Sequence, residues 1–312
     1  MNISLIIPFY NEEEQVDNTL DTVIPILESV TASYEIIAVD DGSKDRTWSI
    51  LSDRAQDNPN IHAIRFSRNF GKEAAICAGL DHVGGDLAIL MDGALQHPPQ
   101  YIPQMVRLWE EGYDIVEGVK KSRGKENPFY HFMATSFYKI FTKLSGVDMA
   151  NASDFKLLDR RVIEAWKSLD ERNTFFRGLS AWLGFKRTSI EFEVAPRTHG
   201  KSKWSLAGLW RLSVNAITSF SSVPLVFITW GGLLFFVLAL IIGIITLVRF
   251  FSGTAVEGFT TVILLLLIIG GAIMMSLGLI GTYISKIYDE VKGRPRYLKM
   301  TELNPRPFDK LP

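Results

Sequence analysis

Two stretches without a charged residue, 223–248 and 259–284, constrain this chain of 312 residues more than any other feature. Each exceeds the roughly 20 apolar residues that a helix needs to cross the hydrocarbon core of a bilayer. Core helices of soluble proteins seldom run so far without a polar face. The stretches therefore read as a transmembrane helical hairpin within 221–288. Lys and Arg beside transmembrane ends stay on the cytoplasmic side, which sets the orientation. Lys201, Lys203 and Arg211 precede the first span, and Lys286, Lys292, Arg294, Arg296 and Lys299 follow the second. The connecting loop, 250–258, carries Glu257 and no basic residue, with Arg249 at its edge. Both termini are expected in the cytoplasm, with 289–312 as a basic tail.

The residues before the hairpin are built differently. Up to about Gly118, short β-branched runs alternate with amphipathic stretches, the pattern of an α/β domain with a largely parallel sheet. Strands are predicted at 3–8, 34–40, 61–66, 87–91 and 114–117, with helices such as 12–28 and 44–55 between them. Residues 204–220 put Leu206, Leu209, Trp210, Val214, Ile217 and Phe220 on one helical face. This suits an interfacial amphipathic helix along the membrane, or else a packing helix of the soluble domain. Cys77 is the only cysteine, so an internal disulfide is excluded and a reducing compartment fits. The opening Met-Asn-Ile-Ser-Leu-Ile-Ile-Pro is too short an apolar run for a signal peptide, and Glu12, Glu13 and Glu14 follow it at once. A net charge of -1 argues against a general nucleic-acid binder.

In open α/β sheets, ligands sit outside the carboxyl ends of the strands. Four such ends are polar: Pro8-Phe9-Tyr10-Asn11-Glu12, Asp40-Asp41-Gly42-Ser43, Ser67-Arg68-Asn69-Phe70-Gly71-Lys72 and Asp92-Gly93-Ala94-Leu95-Gln96. Any one of them, Asp-Asp-Gly-Ser included, could be a turn and helix cap; four at one edge point to a site. Asp41-Gly42-Ser43 stands where a dinucleotide fold needs Gly-x-Gly-x-x-Gly, which excludes a dehydrogenase. The stretch 118–125 has the wrong spacing for a P-loop and lacks its final Ser or Thr. An acidic residue after the second strand can instead bond the base or ribose of a nucleotide, and carboxylates near a diphosphate usually require a metal between them.

Together, Ile6-Ile7-Pro8-Phe9-Tyr10-Asn11-Glu12, Val39-Asp40-Asp41-Gly42-Ser43, Asn69-Phe70-Gly71-Lys72 and Leu95-Gln96-His97-Pro98-Pro99 resemble the GT-A glycosyltransferases of family 2 that use polyprenyl-phosphate acceptors. The chain looks most like bacterial bactoprenol (undecaprenyl-phosphate) glucosyltransferases, and more distantly like dolichol-phosphate mannose synthase. Gly79-Leu80-Asp81-His82, Asp154-Phe155-Lys156-Leu157, Glu171-Arg172-Asn173, Arg294-Pro295-Arg296-Tyr297 and the two-span tail extend the resemblance nearly end to end. It implies a cytoplasmic GT-A domain over 1–203 and a multi-pass protein of a bacterial inner membrane. The implied reaction is inverting transfer of a hexose, foremost glucose, from a UDP-sugar to undecaprenyl phosphate. Mannose, aminoarabinose or N-acetylhexosamine on the same lipid remain open, as does a catalytically silent scaffold. A homo-oligomer and a separate flippase are also implied. Two spans make a poor conduit for a polymer, and Gln-x-x-Arg-Trp is absent, which disfavours a processive synthase.

Carried over residue by residue, the resemblance implies that Pro8, Tyr10, Glu12, Asp41, Lys72 and Asp92 bind the nucleotide sugar. Asp92 and Gln96 would face Mg²⁺ or Mn²⁺ and the diphosphate. The family's Asp-x-Asp reads Asp92-Gly93-Ala94 here, so the second carboxylate is missing. An engineered inactivating change, a natural variant that binds metal through Asp92 and Gln96, and a protein that no longer catalyses all remain open. A phosphate acceptor is already nucleophilic at neutral pH, so basic residues should neutralise and align the reactants. Arg197, Lys201 and Lys203 match the family's Arg-x-x-Gly-x-Ser-Lys loop, and Lys120, Lys121, Arg123 and Ser136 form a second candidate group for the acceptor phosphate. Asp154 fits Asp-Phe-Arg, with Lys156 in place of Arg, as the family's base or acceptor-orienting group. The implied catalytic set is Asp92, Asp154, Arg197 and Lys203. His97 reads as a loop residue. Ala272-x-x-x-Ser276 and Gly278-x-x-x-Thr282 give the second span small residues at helix-packing spacing.

Overall fold

The computed structural model describes residues 1–120, 153–169, 176–193, 223–252 and 258–305. The chain divides into two compact units, Met1–Leu209 with Pro295–Pro312, and Trp210–Arg294. The first unit holds β1 (Asn2–Phe9), α1 (Val16–Val30), β2 (Ser33–Asp40), α2 (Thr47–Asp57), β3 (Ile61–Phe66), α3 (Lys72–Asp81), β4 (Leu87–Leu90) and α4 (Ile102–Glu110). It continues with β5 (Ile115–Lys120), β6 (Lys156–Asp159), α5 (Arg160–Lys167), α6 (Phe176–Trp182), β7 (Arg187–Phe192) and, after the second unit, β8 (Lys299–Leu303).

These strands form one eight-stranded sheet in the order β7-β5-β6-β4-β1-β2-β3-β8. Its centre is parallel, β4-β1-β2-β3, and β5 pairs in parallel with β7. β6 runs antiparallel between β4 and β5, and β8 runs antiparallel along β3. The sheet is therefore mixed where the sequence pattern predicts a largely parallel one. Both antiparallel strands, β6 and β8, lie beyond the alternating region on which that expectation rests. The central strands read as near-continuous apolar runs because helices cover both faces. In β1, Ile3, Leu5, Ile6, Ile7 and Phe9 are all buried. Leu5, Ile36 and Ile89 from three neighbouring strands pack in one core with Leu20 of α1, Leu51 of α2 and Met105 of α4.

Lys156 lies fully buried in β6. Its ammonium pairs with Glu117 at 2.7 Å, donates to Ser180 Oγ at 2.6 Å and lies 5.6 Å from the Phe176 ring centroid. A buried charge survives only when it is paired and hydrogen-bonded in this way. The residue thus ties β5, β6 and α6 together.

The segment after the long apolar stretches returns to this unit as β8 instead of standing apart as a tail. Glu302 accepts hydrogen bonds from Lys299 Nζ and His62 Nε2, each at 2.7 Å, and Asn304 Nδ2 donates to the carbonyls of Ala55 and Ile61 at 2.6 and 3.0 Å. Burial works to raise the Glu302 pKa, but the bonds from Lys299 and His62 outweigh it and hold the carboxyl below its ordinary value of 4.5. A depressed carboxyl adds stability that is present above that ordinary value and is lost as pH falls through the lower, folded value. On going from about pH 7 to about pH 3.5, the melting temperature of the wild type is expected to fall further than that of Glu302→Gln. Equal falls would show that this carboxylate contributes nothing.

The second unit consists of α7 (Val223–Phe251) and α8 (Phe259–Val291). Leu234, Val248, Leu266 and Met275 are exposed on them, as apolar residues rarely are in water. Among the described residues, one stretch, Ile268–Val291, is long and apolar enough to cross a membrane, with 24 residues and a mean hydropathy of 1.7. Ser276 and Thr282 donate to the carbonyls of Ala272 and Gly278 one turn earlier, at 2.8 and 3.1 Å, so their hydroxyls are satisfied within the helix. The expected interfacial helix at 204–220 lies outside the described residues.

Candidate active site

The four polar strand ends meet. At the end of β1, Asn11 takes a left-handed backbone, φ 53°, which Asn tolerates. Its amide donates to Ser43 Oγ at 2.9 Å, and its Oδ1 accepts from the Lys44 amide at 2.9 Å. The Glu12 amide donates to Thr47 Oγ1 at 2.9 Å, which closes the loops after β1 and β2 onto each other. Pro8 is half-buried between buried Ile7 and Phe9, and Tyr10 after them is exposed.

At the end of β2, Asp40 accepts from the Ser43 amide at 3.0 Å and faces Arg65 at 3.4 Å. Asp41 accepts from the amide of Phe70 at 2.7 Å and from Asn69 Nδ2 and the Gly71 amide, both at 2.9 Å. Burial pushes the pKa of Asp40 upward against the Ser43 hydrogen bonds, and that of Asp41 upward against the Phe70 and Gly71 amides. Asp41, expected to hold a nucleoside, thus also shapes the loop after β3. Gly42 makes that contact attainable. Its φ is +65°, and a Cβ would come 2.4 Å from the Arg68 carbonyl carbon.

Lys72 opens α3 directly after this loop. Its ammonium donates to Asp92 Oδ1 and, at 2.6 Å, to Asp154 Oδ2. The loop after β4 and the residue two before β6 are therefore joined by one lysine from a third element. Burial opposes the lysine's charge, but the two carboxylates outweigh it and raise its pKa above the usual range. Burial likewise works against ionised Asp92, but Lys72 and His97 hold its pKa below the ordinary carboxylate value. At neutral pH the trio carries two anions and one cation.

Sequence alone reads His97 as a loop residue, and the structure shows more. The ring is buried, its Nδ1 accepts from the Asp92 amide at 3.1 Å, and its Nε2 lies 3.6 Å from Asp92 Oδ2. It stacks on Phe155 with centroids 5.3 Å apart and planes at 9°. This packs the Asp92 loop against the residue next to Asp154. Nearby, Leu95 has φ 52°, a conformation uncommon for a branched side chain and typical of constrained functional loops.

A divalent cation that takes its other oxygens from water and substrate phosphates can be held by a single carboxylate. Asp92 is ionised and Gln96 lies four residues on. Among the described residues, no group of three His, Cys, Asp or Glu side chains is placed to cage a metal, and position 94 offers only a methyl group. The fit is to a substrate-completed site. Arg123, Ser136, Arg197, Lys201 and Lys203 lie outside the described residues, and of Lys120 only the backbone, at the end of β5, is described.

A mixed α/β sheet with acidic loops at the carboxyl ends of its parallel strands is a frame built to receive a ligand at that edge, and this protein is a glycosyltransferase. The chain belongs to glycosyl transferase family 2, whose sequence pattern matches residues 4–166. It is 38% identical over 300 residues to the Synechocystis protein named Uncharacterized glycosyltransferase sll0501, covering 96% of this chain and 94% of that one. It is also 38% identical over 300 residues to the prophage bactoprenol glucosyl transferase homolog of Escherichia coli, covering 96% and 98%. The bactoprenol glucosyl transferase of Shigella phage SfII is 38% identical over 303 residues, with 96% and 97% covered.

Proposed function

We propose that this enzyme transfers a hexose, foremost glucose, from a UDP-sugar to undecaprenyl phosphate at the cytoplasmic face of a bacterial membrane. The observation that carries the reading is the Asp92-Lys72-Asp154 trio at the mouth of the parallel strands. The near full-length likeness to proteins named bactoprenol glucosyl transferase supports the polyprenyl-phosphate acceptor. The apolar stretches at 223–248 and 259–284 support a two-span anchor that keeps the domain beside its lipid substrate.

In the proposed reaction an acceptor phosphate oxygen attacks the anomeric carbon. The bond from that carbon to the diphosphate breaks with inversion, and UDP leaves with the electron pair. Pro8, Tyr10, Glu12 and the loop shaped by Asp41 receive the nucleoside. Lys72, which opens α3 and bonds Asp92, offers its positive charge to the diphosphate as the bond breaks. Asp154, joined to Lys72, orients the acceptor or a sugar hydroxyl, since a phosphate needs no base at neutral pH. Arg197, Lys201 and Lys203, with Lys120 and Arg123, neutralise the lipid phosphate, and the Ser136 hydroxyl donates a hydrogen bond to it. Asp92 and Gln96 would hold Mg²⁺ or Mn²⁺, which would supply further charge neutralisation at the diphosphate.

Membranes holding the protein, given undecaprenyl phosphate and radiolabelled UDP- or GDP-sugars, are expected to move label from UDP-glucose into the lipid phase. Label from GDP-mannose or another sugar would replace the donor assignment. No labelled lipid with any donor, from this chain or from Ala94→Asp, would end the transferase reading. Ala94 favours one second reading, a scaffold that binds the nucleotide sugar without turnover. Binding without transfer in both forms would establish it.

A further inference from the structure

Arg296 and Tyr297 have no part in the chemistry above, yet Tyr297 packs on the strand end that leads into the loop bonded to Asp41. Arg296 Nη2 donates to the Leu169 carbonyl at 2.6 Å. The Tyr297 ring stacks on Phe66, the last residue of β3, with centroids 4.9 Å apart and planes at 17°. Phe66 in turn meets Phe70 edge to face at 5.7 Å, and the Phe70 amide donates to Asp41. The Tyr297 hydroxyl donates to Asp81 at 3.0 Å, at the far end of the helix that Lys72 begins. Burial and the neighbouring Asp81 carboxylate both raise the pKa of this phenol, which keeps it a donor. Between these contacts the Ser67 amide donates to the Leu298 carbonyl at 3.0 Å. One side chain therefore touches the last residue before the 67–71 loop and the end of the helix that follows that loop.

We propose that Tyr297 is a positioning residue of the donor site, holding the 67–71 loop and α3 so that Asp41 and Lys72 are set for a nucleoside diphosphate. This rests on the donor-site reading above. The chain thereby gains a dependence of nucleotide binding on residues that follow its second apolar helix. A strand that merely completed the sheet would contribute stability alone. Asn304, at the opposite end of the same strand, supplies that comparison, because its bonds go to Ala55 and Ile61, away from the loop.

The test is calorimetric titration of UDP, with Mn²⁺ present, into the purified full-length protein in detergent, with melting temperatures recorded in parallel. Tyr297→Ala is expected to weaken UDP binding about tenfold, as loss of a residue supporting direct ligands commonly does, while Tyr297→Phe, which keeps the stack, stays within about threefold of wild type. Asn304→Ala is expected to lower the melting temperature without changing UDP affinity. Should Tyr297→Ala fail to fold, Tyr297→Leu removes the stack with less loss of bulk and is read in the same way. Wild-type affinity in the stack-lacking variant would overturn the proposal, as would equal weakening by Asn304→Ala at the same loss of melting temperature. A wild-type protein that binds neither UDP nor GDP would overturn the donor-site reading, and this proposal with it.

Discussion

Lys72→Met is expected to lower the rate constant of sugar transfer about 10²- to 10³-fold, the size seen when one preorganised group is removed from a site of developing charge. The Lys72 ammonium bonds both Asp92 and Asp154. Without it the two carboxylates lose the cation they share, so the pKa of one of them must rise. The variant should therefore lose its catalytic cation and the fixed charge state of Asp92 together. Lys72→Arg keeps the charge but spreads it over a planar fork, and is expected to recover only part of the rate. Transfer of labelled sugar to lipid, measured beside the melting temperature, separates this from unfolding. A folded Lys72→Met variant with the wild-type rate would remove the trio from the mechanism.

Ala94→Asp should act in the opposite direction, raising metal-dependent transfer about 10- to 100-fold by adding a second hard oxygen ligand beside Asp92. A third anion near Asp92 and Asp154 is costly while no cation meets it. The variant is accordingly expected to melt below the wild type in chelator and to regain that loss with Mn²⁺. Ala94→Asn, of similar size and without the charge, should do neither. Equal metal-dependent rates for the wild type and Ala94→Asp would show that the second carboxylate has no use in this site.

Much of the catalytic unit is legible in the sequence because burial leaves a periodic trace there. The predicted strand 61–66 coincides with β3, and those beginning near residues 3, 34 and 87 differ from the structure by at most a residue at either end. The convergence of polar strand ends is legible too, since a parallel sheet brings all its carboxyl ends to one edge. The fifth strand, expected at 114–117, runs instead over Ile115–Lys120. β8 reads as basic tail in the sequence because Lys299-Met300-Thr301-Glu302-Leu303 shows no apolar alternation. An edge strand buries little of itself, and its charged residues find partners only across the sheet.

At the site, the sequence by itself determined the chemical inventory: the acidic loops, the lysine after Asn-Phe-Gly, the missing carboxylate at Ala94 and the apolar stretches. Tertiary structure alone decided which of these groups touch. Lys72 lies 82 positions from Asp154, and His62 lies 240 from Glu302, yet each pair is hydrogen-bonded. Local pattern encodes which face of an element is buried, because that is a property of neighbouring residues. The partner across the sheet depends on strand order, and strand order follows from how the whole chain best buries its apolar faces. For this reason His97 could be read only as a loop residue, Asp41 only as a nucleotide ligand and Tyr297 only as part of a motif, until the sheet brought their partners to them.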